Sequence, residues 1–306
     1  MSAAGPSPLA RAIDPACALC GGRERRELRR DGEHTLVRCA ACGLVYVTPR
    51  RDARALIDEV YDASYWRSPA ARERGYGDYA ADEPLYLSTF RRRYSRLAAQ
   101  LPRGGRALDV GCAAGFAMRV LEERGFEVFG VEPSRSIREV ALRHFAPDRI
   151  HAGTLEDAPF GPASFDLIAM WDVLEHLPDP LAALRRAREL LAPSGRLVIE
   201  TQNVEALAAR VLSRRWTHFK HDEHLVHFSR ATLRLALERS GLELLSLSAR
   251  GAGKCVSPRF IAERARRFAP AFAWCLAPLA RLPVAGVYVN PFDELIAVAR
   301  DAGPVA

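Results

Sequence analysis

Lysine is nearly missing from this chain: Lys220 and Lys254 are the only two among 44 basic residues in a length of 306. The formal charge of +7 therefore rests on arginine, which is spread along the sequence and interleaved with glutamate, as in Arg23-Glu24-Arg25-Arg26-Glu27. Basic charge can serve a nucleic acid, a membrane surface or an anionic substrate. The interleaved acid, and the lack of an aromatic stacking platform between Arg23 and Arg30, favour a solvated face over single-strand binding. No stretch reaches the roughly 18 clean apolar residues of a spanning helix. The nearest, 271–289, is interrupted by Pro278, Arg281, Pro283 and Gly286. Residues 1–16 lack the basic start and continuous apolar run of a secretory signal. The expectation is a cytoplasmic protein, in which paired cysteines point to metal before disulfides. Internal repeats and low-complexity tracts are also missing, and the length suits one α/β domain of about 200 residues plus something smaller.

Four of the seven cysteines form two pairs, Cys17-Ala18-Leu19-Cys20 and Cys39-Ala40-Ala41-Cys42, each followed directly by a glycine, Gly21 and Gly43. A separation of about 18 residues is zinc-ribbon spacing. Four thiolates suit tetrahedral Zn²⁺, and a closed set leaves no position for water, so the ion is expected to be structural. An iron site or a redox pair is the alternative. A segment of about 35 residues buries too little core to fold alone, so metal would supply much of its stability. Its distance in sequence from the remaining chemistry predicts that chelation unfolds the first 50 residues and largely spares ligand binding elsewhere. Cys112, Cys255 and Cys275 read as small buried residues.

The organisation expected is a ribbon at 1–49, a helical and aromatic cap or linker at 50–100, and an α/β domain at 101–306 with an insertion at about 251–290. Within the cap, Tyr61, Tyr65, Trp66, Tyr76, Tyr79, Tyr86, Phe90 and Tyr94 recur at helical spacing, which is the pattern of a core. Individual tyrosines among them are candidates for a substrate pocket. The insertion carries Arg264-Ala265-Arg266-Arg267 ahead of an apolar-aromatic run. Peripheral membrane contact through 264–289 is one reading; cover for the sheet edge or a dimer contact is the plainer one.

The most informative stretch is Arg106-Ala107-Leu108-Asp109-Val110-Gly111-Cys112-Ala113-Ala114-Gly115, followed by Glu127-Val128-Phe129-Gly130-Val131 and Glu132. It reads as a short buried strand, a glycine turn into a helix, and a second strand ending in an acid. That is the nucleotide-binding edge of a doubly wound sheet, where helix amides meet the ligand and a carboxylate takes a ribose diol. Asp109 argues against a dinucleotide, whose pyrophosphate it would repel. S-adenosylmethionine, with its sulfonium and ammonium, is matched by it.

The pattern D-x-G-x-x-x-G followed by Glu resembles the class I S-adenosylmethionine-dependent methyltransferases. Gly153–Phe160 looks like the family's adenine loop after strand three, and Ser164–Met170 like strand four. Trp171-Asp172-Val173-Leu174-Glu175-His176-Leu177 looks like the segment lining the methyl-transfer site, and Pro193–Glu200 like the turn into strand five. Ala113 stands where the family more often has glycine, and Thr154 where an aspartate is common. The resemblance implies a seven-stranded sheet, six strands parallel and the last antiparallel. It also implies cofactor contacts from Asp109, Gly111, Cys112, Gly115, Glu132, Pro133, Leu155, Glu156, Trp171 and Asp172.

Four of the eight histidines fall within residues 218–227, and His176 follows strand four. Histidine has the pKa that a neutral-pH proton acceptor needs. His221, His224 and His227 are also open to a metal reading. The string Glu223-His224-Leu225-Val226-His227-Phe228-Ser229 resembles a segment of zinc-ribbon methyltransferases that act on sugars and other small metabolites. Carried over, Glu223 and His224 are the acid/base residues, with His176 the second candidate. The leading expectation is O-methylation of a sugar, glycan precursor or secondary metabolite. C-methylation of a nucleotide-activated keto-sugar, methylation of a polyprenylated phenol, and a nucleic-acid modifier or binder using the ribbon are the alternatives.

Overall fold

The computed structural model describes residues 12–52, 55–61, 63–67, 78–258, 260–261 and 286–303. Tyr76, Cys275 and nearly all of 264–289, and with them the membrane reading, lie outside the described residues.

Apolar runs too short for helices, bounded by glycine or charge, become the strands of one sheet. These are β1 (Gly105–Val110), β2 (Phe126–Val131), β3 (Ile150–His151), β4 (Phe165–Trp171), β5 (Leu191–Gln202), β6 (Leu242–Ser248) and β7 (Glu294–Asp301). Their spatial order is β6-β7-β5-β4-β1-β2-β3. Neighbours from β5 through β3 are parallel. Strand β7 inserts antiparallel between β5 and β6. Six strands thus share one direction and the last in the chain opposes them. Ala107–Val110 and Leu167–Trp171 are buried throughout, as expected of parallel strands covered by helices on both faces. The strand order reverses between β1 and β4, so the crevice lies beyond their carboxyl ends, where open α/β sheets take their ligands.

Several helix boundaries follow from local chemistry. Asp179 caps the helix Pro180–Leu190 by accepting from the Ala182 amide at 2.9 Å. Ser229 opens the helix Arg230–Arg239 as the N-cap its sequence suggests, and the structure adds a reciprocal bond from Thr232 that closes a capping box. The helix after β5 is shorter than the apolar pattern from Val204 predicts, running only Leu207–Leu212. The cause is pairing elsewhere: Asn203 N–H donates to Asp293 O and Val204 N–H to Phe228 O, both at 2.8 Å. Most of the insertion is undescribed, but its ends form a small hairpin, Lys254–Val256 against Val287–Val289. The Cys255 amide of that hairpin is tied to Thr89 Oγ1 on the helix Glu83–Leu97.

The ribbon is an antiparallel meander of Arg25–Asp31, His34–Cys39 and Val45–Thr48. Its sheet gains a fourth strand from far along the chain, Val226–His227, which pairs antiparallel with Val45–Thr48. Ribbon residues Leu19, Val37, Leu44 and Tyr46 belong to the same buried cluster as Phe228, Leu233 and Leu237. Distance in sequence therefore misleads here: the ribbon packs on the α/β domain and shares its core.

Candidate active site and metal centre

The turn after β1 is shaped by backbone conformations that glycine allows. Gly111 and Gly115 have φ of +68° and +77°, and a Cβ on Gly111 would stand 2.7 Å from Val173 Cγ2. Ala113 sits at φ +48°, which explains why glycine suits this position and means the alanine carries strain. Glu132, at the end of β2, spans the turn: Oε2 accepts from the Ala113 amide at 2.9 Å and Oε1 from the Ser134 amide at 2.7 Å. The cap closes above it. Trp66 Nε1–H donates to Ser134 Oγ at 2.8 Å, and that hydroxyl donates to the Tyr61 carbonyl at 2.7 Å. Tyr79 and Tyr86 stack on Phe116, the first residue of the helix after the turn.

Asp109 and Glu132 are both buried. Burial, reinforced by Glu132, pushes the Asp109 carboxyl up to about 8. Burial raises Glu132 to about 7, although the Ser134 and Ala113 amides oppose it. Two buried acids beside a glycine cradle fit a cationic ligand such as S-adenosylmethionine. The other residues named from the motif scatter in role. Cys112 is buried in the turn and Leu155 in the core, while Glu156 is exposed. Trp171 turns into the sheet face, where its Nε1–H donates to Tyr94 Oη at 3.0 Å.

The chain carries the tripeptide Glu-His-Leu twice, at 175–177 and 223–225, and the fold brings the two copies together. The Leu225 N–H donates to the Glu175 carbonyl at 2.9 Å. The rings of His176 and His224 meet edge to face, 4.7 Å between centroids. His224 Nδ1 lies 2.8 Å from the His218 carbonyl, and His176 Nδ1 lies 3.0 Å from the Glu223 carbonyl. A carbonyl only accepts, so His224 carries its proton on Nδ1 and leaves Nε2 with its lone pair, whereas His176 Nδ1 faces both a carbonyl and the Tyr61 hydroxyl. Burial lowers both rings from the ordinary imidazole value, His224 the further, with His176 and Lys220 adding to the effect. Both are neutral at pH 7. Tyr61 Oη is 2.8 Å from His176 Nδ1, and Tyr65 O–H and the Lys220 ammonium each reach Glu223 Oε2 at 3.2 Å. His221 and His227 turn away from this centre: His221 reaches Asp31 at 3.3 Å, and His227 Nδ1 accepts from Gln202 Nε2 at 3.1 Å. Their rings stand 6.4 Å apart, so the three histidines do not converge on one ion.

With this geometry in view, comparison with known proteins decides the family. A family model described as a methyltransferase domain matches residues 79–247, more than half of the chain. The chain belongs to the class I S-adenosylmethionine-dependent methyltransferases. A ubiquinone biosynthesis O-methyltransferase of Xanthomonas campestris pv. campestris is 34% identical over 127 residues, 40% of this chain and 53% of that protein. One of the same description from Xylella fastidiosa is 34% identical over 152 residues, 47% of this chain and 61% of that protein. The methyltransferase thus spans between half and two thirds of the length of these curated relatives. Among solved structures, a chain of the Haloferax volcanii complex between the Trm112 methyltransferase activator and a methyltransferase is similar in fold. Its TM-score is 0.53 at 17% identity, covering 74% of this chain and 96% of that one.

Motif reasoning on this methyltransferase missed a polar cluster at the carboxyl edge of β4 and β5. Lys254 Nζ bridges Asp172 Oδ2 at 2.9 Å and Glu294 Oε1 at 2.7 Å. Arg93 and Glu200 form a fully buried pair beside them, and His218 Nε2 lies 3.6 Å from both Asp293 and Glu294. Although burial raises it, Lys254 and Arg93 hold Asp172 down to about 2. The signal available in sequence was composition. Both lysines of an arginine-dominated chain hold candidate-site carboxylates, Lys254 those of Asp172 and Glu294 and Lys220 that of Glu223. A compact ammonium bridges two carboxylates where a flat guanidinium imposes its own planar geometry.

The four ribbon cysteines converge. Cys17 and Cys42 Sγ are 3.4 Å apart, as are Cys20 and Cys39 Sγ, and all four sulfurs lie within 4.8 Å of one another. Thiolates about 2.3 Å from a tetrahedral ion stand somewhat under 4 Å apart, so the set fits such an ion. Gly21 N–H donates to Cys17 O at 2.8 Å and Gly43 N–H to Cys39 O at 3.1 Å. These bonds close the two knuckles, with both glycines at positive φ.

Proposed function

We infer that this methyltransferase transfers a methyl group to a hydroxyl of a small molecule, with His224 as proton acceptor, Glu223 as its partner and His176 as the second acceptor. The observation that carries the reading is the pair of neutral imidazoles in edge-to-face contact, with His224 held through Nδ1 so that its Nε2 can take a proton. In-line displacement from an oxygen requires alignment of the nucleophile and removal of its proton. S-adenosylmethionine, when bound, supplies an electrophilic methyl on sulfonium. Asp109, Gly111, Cys112 and Gly115 hold its methionine end, Glu132 and Pro133 its ribose, and Leu155 and Glu156 border its adenine. Trp171 and Asp172 complete the proposed set of cofactor residues. Glu132 also fixes the turn through the Ala113 amide, so cofactor and turn share one carboxylate. The ribbon is assigned a structural Zn²⁺ on Cys17, Cys20, Cys39 and Cys42. The segment boundaries follow as ribbon 1–49, cap 50–100 and catalytic domain 101–306.

For the acceptor, a sugar, glycan precursor or secondary metabolite suits the polar edge formed by Asp172, Lys254 and His218. A phenolic, polyprenylated acceptor is the second reading, favoured by the description of the curated relatives as ubiquinone biosynthesis O-methyltransferases. The deciding experiment offers labelled S-adenosylmethionine with sugar nucleotides, glycans, phenols, lipid extracts, RNA and DNA in turn, and locates the label by NMR. Label on carbon supports keto-sugar C-methylation instead, and transfer only to RNA or DNA overturns the small-molecule reading.

A further inference from the structure

The ribbon touches the proton-transfer segment at more points than a remote stability module needs. Val226–His227 forms the outer strand of the ribbon sheet, and the Val47 N–H donates to the Leu225 carbonyl at 2.9 Å. Leu225 is the residue whose own N–H reaches the Glu175 carbonyl, so one residue joins ribbon, second Glu-His-Leu and first Glu-His-Leu. Next to Glu223, Asp222 is gripped from the ribbon side: Oδ1 lies 3.3 Å from His34 Nε2 and bonds the Arg51 guanidinium. Arg29 lies 4.3 Å over the Phe219 ring, and Asp31 meets His221. The first Glu-His-Leu copy is held as well, since Arg50 Nη2 donates to the Pro178 carbonyl at 3.0 Å.

The cysteine knuckle stands at the base of these contacts. Cys39 ends the strand His34–Cys39, Cys42 directly precedes the turn into Val45–Thr48, and the Cys39 N–H donates to Leu44 O at 2.9 Å. An ion on the four thiols fixes the hairpin whose outer strand holds residues 225–227. We propose that the metal-bound ribbon positions the proton-transfer segment, with Asp222 as the side-chain anchor through which it holds Glu223 and His224. Asp222 is a positioning residue: it contacts His34 of the ribbon and Arg51 just beyond it, and sets the geometry of its neighbours. The proposal rests on the acid/base reading of Glu223 and His224 for its functional meaning, and on the ribbon contacts for its structural content.

The test needs no acceptor. Three samples are compared: metal-loaded wild type, wild type stripped with 1,10-phenanthroline, and metal-loaded Asp222→Ala. Metal content is read by elemental analysis, S-adenosylmethionine affinity by calorimetry, amide exchange by mass spectrometry, and the His224 imidazole by NMR titration. The expected result is cofactor affinity within about twofold in all three, because β1 and β2 are untouched. Exchange over 219–228 should rise about tenfold or more in the stripped and Asp222→Ala samples, as a locally opened segment requires. His224 should then titrate closer to the ordinary value of about 6.5. Unchanged protection of 219–228 in either sample overturns the proposal. Loss of cofactor affinity together with protection overturns it as well, since the ribbon would then support the whole fold. Failure of the catalytic reading is separable: His224→Ala keeping full turnover sinks that reading and leaves the exchange result as it stands.

Discussion

His176 and His224 lie edge to face at 4.7 Å, each anchored through Nδ1 to a backbone carbonyl of the 218–223 turn. The pair joins the end of β4 to the segment that closes over it, and the His176 ring takes its orientation from the loop that carries His224. Replacing one ring both removes a candidate base and loosens the seat of its neighbour.

His224→Ala should therefore lower turnover by about 10²–10⁴-fold, the range for loss of a general base, with cofactor affinity nearly unchanged. Because burial lowers the His224 pKa, the ring is already neutral at pH 7 and stays so as pH rises. Wild-type kcat should be flat from pH 7 to 8 and fall only on acidification below the ordinary imidazole range. A variant that keeps wild-type turnover across pH 6–8 would leave His176 or a substrate group as the acceptor.

Cofactor binding should tighten as pH rises from 6 to 8. Asp109, raised to about 8 by burial and by Glu132, is protonated in the free protein below that value. A cationic ligand favours its ionised form, so binding below pH 8 releases a proton. Calorimetry in buffers of different ionisation enthalpy measures this release directly; proton uptake on binding would contradict the assignment.

Glu132→Ala should weaken S-adenosylmethionine binding by about 2–3 kcal/mol, the scale of lost charge-assisted hydrogen bonds. The same change strips the Ala113 and Ser134 amides of their acceptor, so the turn itself should show faster amide exchange. Tighter binding of NAD than of S-adenosylmethionine by the wild type would remove the basis of the prediction.

Ala113→Gly should stabilise the protein. At φ +48° the alanine bears a cost of about 1 kcal/mol that glycine avoids, partly offset by the greater freedom of glycine in the unfolded chain. Denaturant titration should show a gain of a few tenths to about 1 kcal/mol, with the m-value unchanged.

Lys254→Met should be destabilising, because Asp172 and Glu294 lose the cation between them. Breaking a buried pair costs about 3–5 kcal/mol; with the Lys254 side chain 35% exposed, the low end applies. Lys254→Arg should recover only part of this, since a planar fork replaces a point charge. Full recovery by arginine would reduce Lys254 to a generic positive charge.

Much of the fold was legible because it is written in local chemistry. The apolar runs of β1, β2 and β4, the glycines at 111 and 115 and the Ser229 cap each act within a few residues, and each appears where its pattern predicts. The cysteine set was legible because ligand spacing is itself local. The candidate site was legible as residues but not as contacts. Nothing in the sequence ties Tyr61 to His176 or Tyr65 to Glu223, because a helical aromatic stripe looks alike whether it fills a core or meets a base. The Lys254 bridge was hidden for the same reason: its partners arrive from β4 and β7. The helix after β5 began late because Asn203 and Val204 found extended partners, a tertiary choice that helix propensity does not record.

The ribbon sheet borrows its fourth strand from Val226–His227, and that has a consequence for synthesis. A ribosome delivers Val45–Thr48 long before it delivers its partner. Until then the nascent chain presents an unpaired apolar edge, buried in the finished molecule, which is a template for mispairing. Even a metal ion captured early on the four thiols would leave that edge bare. The ribbon sheet is thus completed only once a strand about 180 residues further along the chain has followed it.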